Sequence, residues 1–553
     1  MKRMDWVVDF ISRKGFRKGW TVFIIAFFLF FVVLPTLYVV TYAFTDWSAI
    51  ETTVLSNPQT LSTIVDSVVI SFEIAAIVTV IDFLAGLPVA WILVRKEFRG
   101  KEFLDTLIDM PLAVPTAALG FSAAVFWVMS PDPVPFSLSV ISSPFLLIIL
   151  LHIVFSYPYM VRSLAAILEE IDDTYEVAGR TLGASRLTAA RTITLPLFRA
   201  GLATGVILCF SRSMSETGGT MIALSTMANL GIGEAANFFT GSTLIGEWRS
   251  LAENDPTYAP SLAFVSILLI ALALILLIIL KLVIMKFHLP LRKVWPMQEK
   301  MLSRGIFPKM KDGGALAFLA IIVLIPSFFI FTYVLFSDPA SLDLRTFLFA
   351  LGYSFLVAGV VTIIDIALGI PFALYITKHR DRASSNVLDV LVNVPLIVPT
   401  AALGYSLFLF WGSTGVTGGA NIIVLILAHV AFTYPLVVRN VAGAVEEIDP
   451  SYEETARTLG AKPIQSFRRV LYPLIKSSIL AGAIMAFTRS LGETGATQAV
   501  LGSNALTAPV YIVSLVKADA LYQAALACII LIIVSYVFML VLRYLTKKRK
   551  EAI

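Results

Sequence analysis

The chain has 553 residues, of which 58% are hydrophobic and only 14% charged, and its mean hydropathy is +0.87. Soluble domains carry about 25% charged residues, so this composition excludes an ordinary soluble protein and predicts an integral membrane protein in a lipid bilayer. The net charge of +5 comes from basic segments between the apolar runs, and it does not indicate nucleic-acid binding.

Twelve apolar runs follow in chain order, and their lengths match the ~20 residues that a helix needs to cross a bilayer. The first six fall at about 20–44, 62–94, 105–129, 144–162, 197–224 and 258–286. The second six fall at about 314–336, 349–377, 387–411, 421–440, 474–501 and 520–545. The sequence therefore predicts an all-α membrane protein with about 12 transmembrane helices.

Lys and Arg are distributed unevenly between the connections. The basic segments are 1–19, 95–101, 169–199, 289–313, 446–476 and 546–553, whereas connections 45–61 and 130–143 contain no basic residue. Single exceptions are Arg249, Arg345 and Lys517. Because cytoplasmic loops carry an excess of basic residues, we expect a multi-pass protein of the cell membrane with both termini in the cytoplasm.

The two halves of the sequence repeat each other. SFEIAAIVTVIDFLAGLPVA at 71–90 matches SFLVAGVVTIIDIALGIPFA at 354–373, and SRSMSETGGT at 211–220 matches TRSLGETGAT at 488–497. Six crossings per half place both halves in the same orientation. This predicts two parallel six-helix repeats related by a pseudo-two-fold axis along the membrane normal, with any pathway at their interface.

These matches also predict the domain boundaries. We expect a first repeat at 1–288, a basic cytoplasmic link at 289–313 and a second repeat at 314–553. The cores of the repeats are expected at about 62–286 and 349–545.

A polar loop is also duplicated. It reads EEIDDTYEVAGRTLGASRLTAARTITLPL at 169–197 and EEIDPSYEETARTLGAKPIQSFRRVLYPL at 446–474. In the first copy, Asp172 or Asp173 can cap a helix that Gly183 would end in a left-handed conformation. The same acidic start, glycine and proline at equal spacing in both copies predict a docking surface for a partner outside the membrane.

This loop resembles the EAA motif of permease subunits in binding-protein-dependent ABC importers. The triplet position holds Val177-Ala178-Gly179 in the first copy and Glu454-Thr455-Ala456 in the second. Val177 replaces the glutamate of the family pattern, so the first copy is expected to dock its partner somewhat differently. The coupling residues that the loop and the resemblance imply are Glu176, Ala178, Gly183 and Pro196, and Glu453, Glu454, Ala456, Gly460 and Pro473.

The resemblance implies a translocation pathway that works with two cytoplasmic ABC ATPase subunits and an extracytoplasmic solute-binding protein. Fusion of two permease domains resembles ferric-iron and thiamine importers, whereas RSLGETGAT at 489–497 resembles molybdate, tungstate and sulfate permeases. The expected solute is therefore iron(III), a thiamine-type cation or an inorganic oxyanion. A twelve-helix secondary transporter is the alternative, which does not require the duplicated loop.

The chain lacks the G-x-x-x-x-G-K-[ST] motif that cradles nucleotide phosphates, so any ATP hydrolysis must come from a separate subunit. No Ser/His/Asp arrangement or paired-carboxylate site is visible either. We therefore expect a pore subunit rather than an enzyme, with no cofactor bound by this chain.

Two equivalent charged pairs lie in apolar segments, Arg212 with Glu216 and Arg489 with Glu493. Each pair has i, i+4 spacing, which places both side chains on one helix face. Ionisable residues at membrane depth usually face a cavity or the protein interior. The pairs are expected either to line or gate the pathway of a charged solute or to hold neighbouring helices together.

His152 and His429 occupy equivalent positions and are weak candidates for contact with a metal ion. No carboxylate or cysteine cluster accompanies them, so hydrogen bonding to a neighbouring helix is the favoured interpretation. Prolines also interrupt one crossing in each half, at Pro111 and Pro115 and at Pro395 and Pro399, and these are expected to kink or break the helix.

Overall fold

A computed structural model describes residues 13–132, 134–286, 296–415, 422–502 and 507–547. Parts of the predicted basic termini and of the predicted link, namely residues 1–12, 287–295 and 548–553, lie outside the described residues. All regular elements in the described part of the chain are helices.

The first half contains eleven main helices in the described ranges. They are α1 (Lys14–Phe27), α2 (Pro58–Arg95), α3 (Lys101–Ala113), α4 (Thr116–Val128), α5 (Pro144–Glu170), α6 (Thr174–Thr181), α7 (Arg186–Ala189), α8 (Arg199–Ser215), α9 (Gly218–Asn229), α10 (Gly241–Leu251) and α11 (Ala259–Lys286). Short helical segments at Phe28–Val33, Leu34–Leu37, Tyr38–Thr41 and Tyr42–Thr45 continue α1, and short helical segments at Ala190–Thr194 and Leu195–Leu197 lead into α8.

The second half repeats this order. Its helices are α12 (Pro296–Leu302), α13 (Phe307–Phe318), α14 (Ile330–Phe336), α15 (Leu344–Lys378), α16 (Ala383–Val392), α17 (Thr400–Ser413), α18 (Ile422–Glu446), α19 (Ser451–Thr458), α20 (Pro463–Ser466), α21 (Tyr472–Leu491), α22 (Gly495–Leu501), α23 (Ala508–Lys517) and α24 (Leu521–Lys547). Short turns at Leu319–Leu324 and Ile325–Phe328 join α13 to α14, Val394–Ile397 extends α16, and Phe467–Leu471 precedes α21.

Nine helices among the described residues are long and apolar enough to cross a membrane, or up to eleven if each of two bent pairs is one span. The remaining predicted crossing, 197–224, is not one continuous helix. It contains the 17-residue helix α8, a short non-helical segment and then α9. The prediction of an all-α membrane protein built from two repeats is confirmed.

The two bent pairs lie where proline interrupts the predicted crossings. α3 and α4 meet at 100°, and the corresponding segments of the second half meet at 108°. Proline disfavours helical backbone in the residue before it. Val114 and Val398, which precede Pro115 and Pro399, accordingly adopt extended backbone with ψ of 128° and 129°. The prolines therefore break these crossings rather than merely kinking them.

The first crossing of each half packs against the opposite half. The backbone N–H of Val39 donates to Ser406 Oγ at 2.8 Å, and that of Ile330 donates to Ser122 Oγ at 2.8 Å. Because the first crossings are exchanged in this way, the two repeats share their buried cores. The domain boundaries at 288, 313 and 314 stay predictions.

Candidate functional site

Each copy of the duplicated loop begins with an aspartate that fixes the start of a short helix. Asp172 Oδ1 accepts from the Thr174 N–H at 2.9 Å, and Asp449 Oδ1 accepts from the Ser451 N–H at 2.9 Å. Hydrogen bonds from the Thr174 side chain and backbone lower the pKa of Asp172, and the backbone hydrogen bond from Ser451 does the same for the pKa of Asp449. Asp173 makes no such capping hydrogen bond, so Asp172 is the capping residue of the two that the sequence left open.

The helices α6 and α19 end at the predicted glycines. Gly183 and Gly460 have φ of +94° and +85°. The Gly183 N–H bonds to the Arg180 carbonyl at 3.0 Å, and the Ala184 N–H bonds to the Gly179 carbonyl at 3.1 Å. This pair of bonds is a Schellman motif, which needs a left-handed residue at the position of Gly183. The second copy forms the same two bonds around Gly460.

The first glutamate of each loop helix is tied to the end of a long apolar helix. Glu176 Oε1 accepts from Thr194 Oγ1 at 2.6 Å and lies 3.7 Å from Arg95 Nε, at the end of α2. Lys378, at the end of α15, donates from Nζ to Glu453 Oε2 at 2.5 Å. These ion pairs hold α6 against the end of α2 and α19 against the end of α15.

The outer surface of each loop exposes apolar side chains that the sequence interpretation did not single out. Tyr175 and Leu182 are 56% and 89% exposed in the first copy, and Tyr452 and Leu459 are 60% and 83% exposed in the second. Large apolar side chains rimmed by polar ones mark surfaces that contact another protein. Their repetition at the same positions of both loops was the signal available in the sequence.

The other predicted loop residues lie as follows. Ala178 and Glu454 are exposed on the loop helices, and Ala456 is half-buried. Pro196 lies in the turn Leu195–Leu197 before α8, and Pro473 lies in the first turn of α21. Proline suits a first helical turn because its missing N–H would have no helical partner there. Pro473 therefore suits the start of α21, and Pro196 suits the short turn that leads into α8.

The two loops differ in what covers them. The buried carboxylate of Glu299, on α12, accepts from Arg191 Nη2 at 2.6 Å and from Thr188 Oγ1 at 2.5 Å. Ser303 Oγ accepts from the Leu187 N–H at 3.1 Å. The described part of the predicted link is thus fastened to the first loop. Beside the second loop lies a cleft of about 1080 Å³.

Helices α8 and α21 run from the loops to the paired charges. They have 17 and 20 residues, which corresponds to about 25 and 30 Å at 1.5 Å per residue. A rigid helix of this length can transmit a displacement of the loop to its far end. The two sets of predicted site residues are therefore connected, in each repeat, by a single helix.

The structure pairs the charges within each repeat. Arg212 Nη1 lies 2.6 Å from Glu216 Oε2, and Arg489 pairs with Glu493 in the same way. The glutamate side chains are 4% and 3% exposed, and the arginine side chains are 12% and 21% exposed. The arginines therefore retain some access, whereas the glutamates have almost none.

The glutamates do not lie within helices, contrary to the interpretation from their spacing. α8 ends at Ser215, and Glu216 adopts extended backbone with ψ of 127°. Its Oε1 accepts from the Gly219 N–H at 2.9 Å, and Glu493 Oε1 accepts from the Ala496 N–H at 2.8 Å. Each glutamate thus caps the helix after the break, where the helix dipole favours negative charge.

The arginines rest on aromatic rings, and the two pairs interact across the repeats. Arg212 Cζ lies 5.3 Å from the centre of the Phe155 ring, and Arg489 Cζ lies 5.2 Å from that of Phe432. Arg212 is also within electrostatic range of Glu493 on the other repeat. The four charges form one neutral cluster at the interface between the halves.

His152 and His429 bridge hydroxyl groups on both sides of the helix breaks. The His152 ring nitrogens lie 2.8 Å from Ser213 Oγ and 2.9 Å from Thr220 Oγ1. His429 makes the equivalent pair of hydrogen bonds, with Ser490 and Thr497. No group of three or more potential metal ligands occurs among the described residues. The hydrogen bonds of both histidines link the helices before and after each break.

Comparison with known proteins identifies the family. The family described as "Binding-protein-dependent transport system inner membrane component" matches residues 82–294 and 366–551. The chain is 32% identical over 203 residues to the probable transport system permease protein NifC of Clostridium pasteurianum, which covers 34% of this chain and 71% of that protein.

Two further relatives carry a solute in their names. The molybdate/tungstate transport system permease protein WtpB of Methanocaldococcus jannaschii is 30% identical over 214 residues, 38% of this chain and 79% of WtpB. The sulfate transport system permease protein CysT of Salmonella typhimurium is 33% identical over 178 residues, 32% of this chain and 63% of CysT. Because the family match covers both repeats and most of the sequence, the chain belongs to the inner-membrane permease components of binding-protein-dependent ABC transport systems.

Proposed function

We propose that this chain forms the translocation pathway of an ATP-driven importer for a tetrahedral inorganic oxyanion such as sulfate, molybdate or tungstate. The observation that carries the proposal is how the two glutamates and two arginines at the interface are paired. Each glutamate uses one oxygen on a backbone N–H and the other on its arginine, so neither has a free carboxylate oxygen. A hard cation such as iron(III) would need such oxygens.

The arginines, in contrast, suit an anion. A guanidinium carries five N–H donors, and its fork matches the oxygen atoms of sulfate-like anions. Arg212 and Arg489, one from each repeat, are partly accessible. Each forms an ion pair with the single glutamate four residues further along the chain. The names of the sulfate and molybdate/tungstate relatives support the same solute class. None of the relatives named above is described as an iron or thiamine permease.

The partners follow from the loops. We infer that each loop seats in a groove of a cytoplasmic ATPase subunit, with Tyr175 and Leu182, or Tyr452 and Leu459, as the apolar contacts. Two equivalent loops and the lack of a nucleotide motif in the sequence support two ATPase subunits per chain. An external binding protein would deliver the solute on the opposite side.

Uptake of labelled sulfate, molybdate and tungstate by cells that express the whole transporter tests the solute class. We expect uptake of at least one oxyanion that needs the ATPase and is lost with Arg212→Ala or Arg489→Ala. Labelled iron(III) and thiamine serve as the comparison. Uptake of either cation without uptake of any oxyanion would overturn the proposal, and uptake driven by an ion gradient without ATP would restore the secondary-transporter alternative.

The subunit count is tested separately by the mass of the purified complex. We expect two ATPase subunits per chain and no ATP hydrolysis by the isolated chain. A complex with one ATPase subunit would contradict the assignment of both loops as docking surfaces.

A further inference from the structure

The two halves touch where both breaks have the sequence Glu-Thr-Gly. A Cβ atom built on Gly218 would lie 2.3 Å from Thr494 Cβ, and one built on Gly495 would lie 2.6 Å from Thr217 Cβ. Cβ atoms do not approach other atoms this closely, and a threonine Cβ moves only with its backbone. The segments 216–218 and 493–495, named here the Glu-Thr-Gly corners, therefore pack so closely that only glycine fits at positions 218 and 495.

The contact is reciprocal and braced from both sides. Thr217 and Thr494 are each only 1% exposed. Thr400 Oγ1, at the proline break of the second half, donates to the Ser215 carbonyl of the first half at 2.9 Å. Thr116 Oγ1, at the other proline break, lies 3.5 Å from the Gly492 carbonyl oxygen. A solute has no room to pass between the corners in this conformation.

One hydroxyl in this contact is unsatisfied. Thr494 Oγ1 is buried and has no hydrogen-bond partner among the described residues. A buried polar group without a partner is unfavourable, and it is rare in folded proteins. The hydroxyl would gain partners once the corners separate, because the space between them would then hold water or solute. The Thr494 hydroxyl is therefore better satisfied when the corners are apart than when they are in contact.

We propose that the Glu-Thr-Gly corners are the gate of the translocation pathway, and that the Thr217 and Thr494 hydroxyls donate hydrogen bonds to the solute as the corners separate. The assignment of an oxyanion to these donors rests on the proposed function. The gate itself does not. Helices α8 and α21, which begin at the two loops, end at the corners, so movement of the loops is the natural cause of separation.

Leakage through the purified full chain in liposomes tests the gate without any ATPase. Gly218→Val places branched carbons against Thr494 and should hold the corners apart. We expect iodide entry, followed with an iodide-quenched dye inside the vesicles, to rise at least about tenfold, equivalent to about 1.4 kcal/mol against the closed state.

The matched control is Gly352→Val. Gly352 lies in α15, is exposed and has no atom within 4 Å of a built Cβ, so leakage should stay at the wild-type rate. A folded Gly218→Val protein that is as tight as wild type would overturn the gate. Because iodide replaces the solute, this result is independent of the proposed function: leakage can appear even if the transporter carries no oxyanion.

Cross-linking keeps the gate testable if valine prevents folding. Thr217→Cys combined with Thr494→Cys leaves both glycines unchanged and should cross-link on mild oxidation or with a short thiol reagent, whereas neither single variant should. We expect uptake of labelled sulfate or molybdate to stop and to return after reduction. Failure of the folded double variant to cross-link would refute the contact between the corners.

Thr494→Val tests the hydroxyl separately, because valine keeps the branched shape of threonine. We expect unchanged iodide leakage but a rise of about tenfold in the KM for the labelled oxyanion, the loss of about 1.4 kcal/mol of binding. Thr362→Val, in α15, removes a hydroxyl that, among the described residues, bonds only to the Ala358 carbonyl of its own helix, and it should leave KM unchanged. An unchanged KM in Thr494→Val would refute the hydroxyl contact.

Discussion

Gly183 and Gly460 show how a single residue type can be required without any crowding. A Cβ atom at either position would meet no atom within 4 Å, yet both glycines have positive φ. The requirement is therefore conformational, since a left-handed backbone is unfavourable by roughly 1–2 kcal/mol for other L residues. The opposite holds at Gly218 and Gly495, where space alone demands glycine.

We expect Gly460→Asp to abolish transport while the protein still inserts into the membrane. The change adds about 1–2 kcal/mol of backbone strain and a negative charge beside the exposed Leu459, but it buries nothing. Uptake of labelled oxyanion and the amount of chain in the membrane fraction measure the two effects. Gly443→Asp is the control, because Gly443 is an exposed helical glycine without positive φ. Normal uptake by Gly460→Asp would refute a docking role for the second loop.

The charge pairs call for a double-mutant cycle. Arg489→Ala leaves Glu493 without its cation, and Glu493→Ala removes both the ion pair and the cap of α22. Breaking a buried pair destabilises by about 3–5 kcal/mol, so each single variant should lose folded protein. The double variant should be hurt less than the sum, with a coupling of about 1–3 kcal/mol.

The control cycle uses Glu247 and Lys517, an ion pair 3.1 Å long that is about one-third exposed on both sides. An exposed pair of this kind contributes about 0–1 kcal/mol, so its coupling should be small. Folded yield and uptake are measured for every variant. Well-folded single variants with full transport would eliminate both a structural and a pathway role for Arg489 and Glu493.

At the scale of elements, the two loops share one design but have different surroundings. Both are anchored to an apolar helix by an acidic residue. Each is followed in the chain by a helix that ends at a Glu-Thr-Gly corner. Only the first is fastened by α12, through the buried Glu299. Helix α12 lies in the segment that the sequence predicts as a basic cytoplasmic link, so in the described structure the link restrains one loop and not the other.

Glu299→Gln should loosen the first loop alone. The substitution removes a charge-assisted contact with Arg191, which is expected to lower local stability by about 1–3 kcal/mol. Hydrogen exchange of 184–194 should become faster, whereas exchange of 461–471 should not change. Glu97→Gln is the control, because Glu97 is 87% exposed and, in the part of the chain that the structure describes, pairs only with Lys101 one turn away. Equal protection of 184–194 in wild type and Glu299→Gln would contradict the restraint.

At the scale of the whole molecule, the exchange of first crossings joins the two repeats into one unit. Each repeat buries part of its core against a helix from the other half, through Ser122 and Ser406 at equivalent sites. The repeats therefore cannot separate as independent domains when the gate opens. The proposed opening of the gate must therefore take place within this joined framework.

Cysteine labelling tests the orientation of the molecule. The distribution of Lys and Arg predicts that Ser56→Cys and Gly415→Cys react with an impermeant reagent from outside, and that Lys300→Cys reacts only after the membrane is opened. All three positions are exposed in the structure, so accessibility is limited by the membrane alone. Labelling of Lys300→Cys in sealed cells would contradict this orientation.

The sequence by itself determined the class, the repeat and the loops. Apolar runs of membrane length, the duplicated acid-glycine-proline pattern and the lack of a nucleotide motif depend on local composition and spacing, which a sequence shows directly. The helix breaks at Pro115 and Pro399 were foreseeable for the same reason, because proline acts on its immediate neighbour.

Only the tertiary structure decided the features that depend on contacts between distant residues. The i, i+4 spacing placed Glu216 and Glu493 on helix faces. In the structure the helix is interrupted at both positions, and each glutamate caps the helix that follows. The contact of Thr217 with Gly495, the fastening of the first loop by Glu299 and the exchanged first crossings join segments far apart in the chain. Such contacts arise from packing of the two repeats against each other, and local spacing carries no record of that packing.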